Sequence, residues 1–116
     1  MASDRVAQLR KGVLELAILG LLRARERYGG EIVAELAERP GLDASAGTVY
    51  PLLTRLKTSG LVDTRWEEST AGPPRKYYHP SSAGRLALAL GVSEWRSARD
   101  AVDAVLAPIE SRWLHE

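Results

Sequence analysis

Hydroxyl-bearing and basic side chains gather on one predicted helix that begins near residue 45. They are the groups in this chain whose types and spacing could do chemistry. The outward face of that helix and its flanks carry Gly47, Thr48, Tyr50, Pro51, Thr54, Arg55 and Lys57. Tyrosine and threonine hydroxyls can bond phosphates or base edges, and small residues near a helix start allow close approach of a backbone. The pattern therefore predicts a surface for contact with DNA.

Two further bases, Arg75 and Lys76, follow a Gly/Pro-rich segment and are predicted just past the tip of a hairpin. There they would be placed to contact phosphate. Simpler explanations stay open for several of these side chains. Arg75 and Lys76 could be the solvated bases of an ordinary hairpin, Tyr50 could be an aromatic at the edge of the core, and Arg55 could pair with Glu31 or Glu35.

Two helices are predicted before this surface. The first covers residues 9–25 and is apolar nearly all round, so it needs cover on more than one side, and a second subunit is a natural source of that cover. A break at residues 28–30 precedes a short second helix over residues 30–38, which Pro40 and Gly41 end.

The third helix carries the candidate surface and ends near Ser59, with Gly60 as the residue that follows its C-terminus. Its inward face is predicted from helical spacing to consist of Val49, Leu52, Leu53 and Leu56. Either Ser45 or Thr48 could cap its start. With Thr48 as the cap, Pro51 falls in the first turn, where its missing N–H costs little.

A hairpin follows the third helix. Strands are predicted over residues 61–68 and 75–79, joined by a wide loop over residues 70–74. Three helices followed by a hairpin form a winged helix-turn-helix, so the expected fold class is mainly α with a small β-hairpin. In that plan the third helix fits the major groove and the hairpin lies along the backbone or in the adjacent minor groove.

A long last helix is predicted to begin after Ser81. Its apolar residues alternate at four- and three-residue spacing, which is typical of a coiled-coil seam interrupted by Arg99. Pro108 is expected to kink or end this helix near Ala107. The seam and the first helix predict a homodimer with the interface Leu14, Leu88, Val92, Trp95, Val102, Leu106 and Ile109. The chain is thus divided into a winged domain, residues 1–80, and a dimerisation helix, residues 81–116.

Composition narrows the classes of function. The chain has 116 residues and a net charge of +1. It has no cysteine, and this excludes disulfides and thiolate metal sites. Its two histidines, His79 and His115, are far apart, and no catalytic or nucleotide-binding motif is present. We therefore expect no enzyme activity, metal or cofactor. No apolar run is long enough to span a bilayer, and the absence of cysteine suits a reducing cytosol, so we expect no membrane partner and a cytoplasmic location.

Several short motifs together resemble the phenolic-acid-repressor (PadR) family of bacteria. They are Tyr28-Gly29, the run from Gly47 to Leu56, Ser59-Gly60-Leu61-Val62, Arg75-Lys76-Tyr77-Tyr78, and Ser81 with Gly84. The resemblance covers about residues 9–106 and is strongest to short-tailed members. It implies a homodimeric repressor that binds a palindromic operator and whose last helix crosses its partner.

The resemblance also implies a ligand site. In some short-tailed members, a tryptophan near the middle of the last helix stacks on flat aromatic molecules in a pore at the dimer interface, and Trp95 occupies the matching position. Arg99, one turn on, could meet an anionic group or cover the ring. Trp95 could equally be packed in the interface with no gap beside it. Two acids in the first wing strand, Glu67 and Glu68, depart from what phosphate contact favours.

Two other classes of function stay open from the residues alone. One is a winged-helix module that binds protein instead of DNA, and the other is a ligand-binding protein with no role at DNA. A DNA footprint separates the first from a repressor, and the intact outward face of the third helix argues against the second.

Overall fold

Four helices and three short strands make up the part of the chain that the structure describes. The computed structural model describes the backbone of residues 2–115 and the side chains of residues 5–110. The elements are, in chain order, α1 (Ala2–Ala24), β1 (Arg27–Tyr28), α2 (Gly29–Ala37), α3 (Ala46–Thr58), β2 (Val62–Ser69), β3 (Gly72–Pro80) and α4 (Ser82–His115). The predicted class, mainly helical with a small sheet in a winged helix-turn-helix, is confirmed. None of the helices in this described range has the length and hydropathy that a bilayer span requires.

The core lies where α1, α2 and α3 meet the base of the sheet. The predicted inward face of α3 is confirmed, since all four of its apolar residues are buried. They pack with Ile18 and Leu22 of α1, Ile32 and Leu36 of α2, and Val62 of β2. Leu14, predicted at the dimer interface, is fully buried in this same core. That prediction is wrong for Leu14, because a side chain already enclosed by its own subunit has no surface left for a partner.

The boundaries of two helices differ from those predicted. Helix α1 begins at Ala2 and not at Leu9. Helix α3 begins at Ala46 with Ser45 as its N-cap, so Pro51 lies in the second turn and not in the first. The missing N–H of Pro51 leaves the carbonyl of Gly47, four residues earlier, without its helical partner. Gly47 is exposed, so water can bond that carbonyl.

The sheet has three antiparallel strands in the order β1-β3-β2. Strand β1 was not predicted, because residues 27–28 precede two glycines and look like a simple break. Its two residues pair with Tyr78 and Tyr77 of β3. The predicted wide loop over residues 70–74 is also wrong: β3 begins at Gly72, leaving only Thr70 and Ala71 between the strands. Proline is tolerated there because the tip of a two-stranded wing lacks the ladder partners of a central strand.

An ion pair between the buried Arg27 and the half-buried Glu35 fixes β1 to α2. Arg27 is a charged residue with only 6% exposure, and its Nη2 donates to Glu35 Oε1 at 3.0 Å. Its Nε donates to the second oxygen of Glu35, while Nη1 donates to the carbonyls of Leu21 and Arg25. These bonds lower the pKa of Glu35 despite the opposing effect of burial. The guanidinium therefore ties the end of α1, β1 and α2 together.

Helix α4 begins against the end of α3. Ser81 caps it as predicted, since Ser81 Oγ accepts the N–H of Gly84 at 3.0 Å and donates to the carbonyl of Gly60 at 2.6 Å. Pro108 was expected to kink or end the helix, and the second alternative is wrong, because the helix continues to His115. The carbonyl that Pro108 leaves unbonded belongs to Ala104, which is exposed, so water can bond it.

Gly84 allows α4 to approach the backbone at Leu61. A Cβ at residue 84 would lie 1.9 Å from the Leu61 carbonyl oxygen. That oxygen also accepts the N–H of Ser81 at 3.0 Å. Any side chain at residue 84 would force the helix away from this junction.

We expect Gly84→Ala to destabilise the protein by about 1–3 kcal/mol, because backbone must shift to admit the methyl group. Gly20→Ala is the matched control, since Gly20 also lies in a helix but has nothing within 4 Å of an added Cβ. The control should be stabilising by about 0.4–1 kcal/mol. Urea unfolding at one fixed protein concentration measures both. Equal stability of the two variants would contradict the close approach.

Glu35→Gln should destabilise the protein at neutral pH by about 1–2 kcal/mol, because it weakens a charge-assisted bond to a buried guanidinium. The folded pKa of Glu35 is lowered, so its contribution is full above the unfolded pKa and is lost as pH falls through the folded pKa. The difference between the parent and Glu35→Gln should therefore shrink in acid. Urea unfolding at neutral and acidic pH measures it, with the exposed Glu38→Gln as control. A difference that persists unchanged in acid would count against the ion pair.

Candidate nucleic-acid interface

The outward face of α3 is open to solvent. Tyr50, Pro51, Thr54, Arg55, Lys57 and Gly47 are exposed, and Thr48 is half-buried. The face is continuous because the buried leucines and Val49 occupy the opposite side of the helix. The α3 residues predicted to contact DNA are therefore on one accessible surface.

Tyr50 lies over the first turn of α2. A Cβ at Gly29 would be 2.4–2.7 Å from three atoms of the Tyr50 ring and hydroxyl group, so only glycine admits the ring there. The side chain keeps 45% exposure. Burial raises the pKa of the Tyr78 hydroxyl, and the nearby Tyr50 adds to that rise, which places Tyr50 beside the base of the wing. Tyr50 is thus seated at the junction of α2, α3 and the sheet with part of its ring facing outward.

Thr54 has its hydroxyl proton engaged within the helix. Its Oγ1 donates to the carbonyl of Tyr50 at 3.1 Å. The hydroxyl therefore faces outward as an acceptor, with the methyl group beside it. An acceptor and a methyl group suit the exocyclic amines of bases and the thymine methyl better than they suit phosphate.

Arg55 forms an ion pair that was not predicted. Its Nε lies 3.3 Å from Oε1 of Glu15 on α1. The predicted partners are engaged elsewhere, Glu31 with Arg25 at 3.3 Å and Glu35 with Arg27. The Arg55 side chain is still 67% exposed. Sequence distance hides this pair, because Glu15 and Arg55 are brought together only when α3 packs on α1.

The two wing bases lie on opposite faces of β3. Lys76 is opposite Trp66 on β2, with its Nζ 5.9 Å from the Trp66 ring centroid and 5.7 Å from that of Tyr78. This is the sheet face beside Tyr50. Trp66 is 67% exposed. An exposed indole with an ammonium group beside it is a feature of the wing that sequence reasoning missed.

Arg75 lies on the other face of the wing. Its guanidinium is 4.6 Å from the ring centroid of Tyr28, which in turn packs edge-on against Tyr77 with the centroids 5.5 Å apart. Arg65 covers the Tyr77 ring at 4.8 Å and bonds Glu26. Arg75 is exposed, so stacking on Tyr28 fixes its direction without removing its charge from solvent.

The acidic pair in β2 is partly neutralised. Glu67 is 3.5 Å from the guanidinium of Arg65 and lies opposite Arg75 in the strand register. The bond from Arg65 also lowers the pKa of Glu26. The unfavourable charge of Glu67 is thus offset by the arginine two residues before it.

An open groove separates α1 from α4. Its volume is about 800 Å³, and it is lined by apolar side chains of both helices, including Leu16, Leu19 and Val102. Trp95 lies on its wall with 41% exposure. Arg99 also lines it, but its guanidinium bonds the neighbouring Asp100 at 3.0 Å, which reduces its capacity for an anion. Three carboxylates line the same groove: Glu15, Glu94 and Asp103.

The seam predicted on α4 is largely uncovered. Leu88, Val92 and Leu106 are half-buried, whereas Trp95, Val102 and Ile109 are exposed. Leu9 on α1 is 70% exposed next to the same groove. The side chain of Trp113 lies outside the described residues.

Comparison with known proteins agrees with this geometry. Residues 18–90 match the sequence model of the Transcriptional regulator PadR-like family. A crystal structure of a PadR family transcriptional regulator from Eggerthella lenta has a TM-score of 0.77 and 34% identity, covering 90% of this chain and 91% of that one.

Two further relatives connect the fold to transcription. The transcriptional regulator Rv3488 of Mycobacterium tuberculosis is 33% identical over 70% of this chain and 74% of its own length. Bacillus subtilis PadR, solved in complex with operator DNA, is 32% identical with a TM-score of 0.61, over 66% of this chain and 43% of that chain. The matches place the protein among regulators and not among enzymes. The chain belongs to the PadR-like family of transcriptional regulators.

Proposed function

We propose that the protein is a homodimeric repressor that binds a palindromic operator through α3 and the wing. The observation that carries the proposal is the solvent-exposed outward face of α3, which carries Tyr50 and Thr54, on a winged domain whose hairpin presents Lys76 beside the exposed Trp66. In a winged helix the third helix enters the major groove, and base edges there offer the donors and methyl groups that Thr54 and Tyr50 can meet. The operator complex of Bacillus subtilis PadR supports DNA as the partner.

Separate roles follow for the residues of this surface. Tyr50 and Thr54 would contact bases, while Arg55, Lys57, Arg75 and Lys76 would contact phosphates on either side. Gly47, Thr48 and Pro51, near the start of α3, would allow close approach of the DNA. A protein-binding winged module remains the alternative, and it would need no preference for any DNA sequence.

Lys76→Ala and Arg75→Ala should each weaken binding to all DNA sequences alike and lower the salt slope of log K by about one unit, because each variant neutralises one phosphate fewer. Tyr50→Ala should weaken only the selected site and leave the slope unchanged. Arg96 is an exposed arginine on α4, so Arg96→Ala is the matched control. It should change neither the affinity for DNA nor the salt slope. Fluorescence anisotropy across a salt series, on a site selected from random duplexes, measures these effects. If Arg96→Ala lowered the salt slope as much as Lys76→Ala does, the proposed contact of the wing bases with phosphate would be contradicted.

The uncovered seam supports the homodimer. Trp95, Val102 and Ile109 are exposed on α4, and Leu9 is exposed on α1. Covering such side chains contributes roughly 1.5–3 kcal/mol each when burial is complete. A second copy is the occupant that fits, because a seam with coiled-coil spacing is complementary to the same seam on an identical helix. In this division residues 1–80 would contact the DNA and residues 81–116 would join the subunits.

Val102→Asp should dissociate the dimer, because it places a charge in the middle of the seam that the second subunit would cover. Ala104→Asp makes the same change on the opposite side of α4 and is the control. Sedimentation at micromolar concentration should give a dimer for the parent and the control and a monomer for Val102→Asp. A monomeric parent would contradict the homodimer.

The groove beside Trp95 supports release by a planar aromatic inducer. Its volume is within the range of about 300–1,000 Å³ found for small-molecule sites. With a second α4 as the other wall, the two Trp95 rings could stack on one flat ligand, a geometry that aromatic pairs favour. The ligand would lower DNA affinity only as far as it prefers the arrangement in which the two winged domains are released.

A planar aromatic compound such as 2-naphthamide should quench tryptophan fluorescence on binding. Trp95→Ala should bind it about tenfold more weakly, which corresponds to about 1.4 kcal/mol of stacking energy. Trp66→Ala removes a tryptophan outside the groove and is the matched control for the fluorescence signal. Equal affinity in the parent and in Trp95→Ala would exclude the stacking site.

A further inference from the structure

Glu15 belongs both to the groove and to the environment of the recognition helix α3. It lines the groove between α1 and α4, and its Oε1 is the partner of Arg55 Nε at 3.3 Å. Helix α1 is therefore the wall between the two regions, and Glu15 is the charged side chain in that wall that contacts both.

The Glu15 carboxylate depends on Arg55. Its Oε1 is buried and forms no hydrogen bond of good geometry with any described residue, so the nearby Arg55 charge is what compensates it. A carboxylate oxygen removed from water is costly unless a cation or donor is beside it. A second cation that reaches the Glu15 carboxylate from the groove side would offset its charge and so weaken its attraction for Arg55.

The contact leaves Arg55 able to act on DNA. Glu15 faces its Nε, whereas the structure gives the terminal nitrogens no hydrogen bond within the described part of the chain, and 67% of the side chain is exposed. The fork of a guanidinium can bond a phosphate with its terminal nitrogens while Nε faces a carboxylate. Glu15 thus fixes where those nitrogens point.

The charges of the groove favour a cationic occupant. Glu15, Glu94 and Asp103 line it against Arg99, which already bonds Asp100. An aromatic cation would find Trp95 for its ring and a carboxylate for its charge.

We propose that Glu15 is a positioning residue that links the groove to DNA binding: it holds Arg55 for phosphate contact, and a cationic ligand in the groove takes over its carboxylate and releases Arg55. The inference rests on the proposed function and adds to it the charge of the ligand and the route from the groove to α3.

A double-mutant cycle tests whether Glu15 positions Arg55 for DNA binding. Glu15→Gln should weaken binding to duplex DNA about two- to fivefold, the range expected for an ion pair in which one partner, here Arg55, is largely exposed. In the Arg55→Gln background the same change should have no further effect, because Glu15 acts through Arg55. Glu38→Gln is the matched control, an exposed carboxylate outside the groove with no ion pair to α3 among the described residues, and it should leave DNA affinity unchanged. Urea unfolding of each variant separates loss of fold from loss of positioning.

A matched pair of small-molecule probes tests whether a cation in the groove releases Arg55. 2-Naphthamidinium carries a positive charge, and 2-naphthamide is its neutral counterpart. Added to the protein–DNA complex, the cation should weaken DNA binding of the parent more than the amide does, and this excess should vanish in Glu15→Gln. In Glu94→Gln the cation should bind less tightly, but once bound it should still weaken DNA binding.

The outcomes are distinguishable. A parent that binds no duplex overturns both this inference and the repressor. A parent that binds DNA with the same affinity as Glu15→Gln, or a Glu15→Gln effect that persists in full without Arg55, overturns the positioning role alone. An equal effect of the cation and the amide on the parent overturns the release of Arg55.

Discussion

The direction in which α4 leaves the winged domain is fixed by the contact between the first turn of α4 and the turn that follows α3. Ser81 bonds the carbonyl of Gly60 and caps the helix, and Gly84 lets the Leu61 carbonyl approach to a distance that no Cβ would allow. Two residues of the turn that follows α3 are thus fixed to the N-cap and the first turn of α4. Because α4 has 34 residues, about 50 Å of helix at 1.5 Å per residue, a small change at this junction moves the far end by many ångströms.

That junction lies between the two surfaces to which we assign the proposed roles, DNA contact and dimerisation. The outward face of α3 and the uncovered seam of α4 are separate surfaces, and α1 contacts the elements that carry both of them. If two copies join through α4, the spacing between their α3 helices follows from the geometry of the junction. A ligand between the subunits could then act on DNA binding by two routes, through the angle between the copies and through Glu15 to Arg55.

Local patterns predicted the elements and the buried face of α3, because helical period, caps and strand formers act over a few residues. The wing tip, β1 and the ion pairs were missed for a different reason. Arg27 looks like a solvated base until α1, β1 and α2 enclose it, and Glu15 meets Arg55 only across a packed interface. Leu14 was predicted at the dimer interface but lies in the core, because helical periodicity identifies an apolar face without showing which element covers it.

Two winged domains joined through α4 should bind DNA at one fixed separation. Selection of bound duplexes from a random pool tests this most directly. Recovered sites should carry two inverted half-sites at a constant spacing, and affinity should fall when about five base pairs, half a helical turn, are inserted between them. Recovery of single half-sites, of pairs at variable spacing, or of no enriched sequence would contradict a fixed dimer of winged domains.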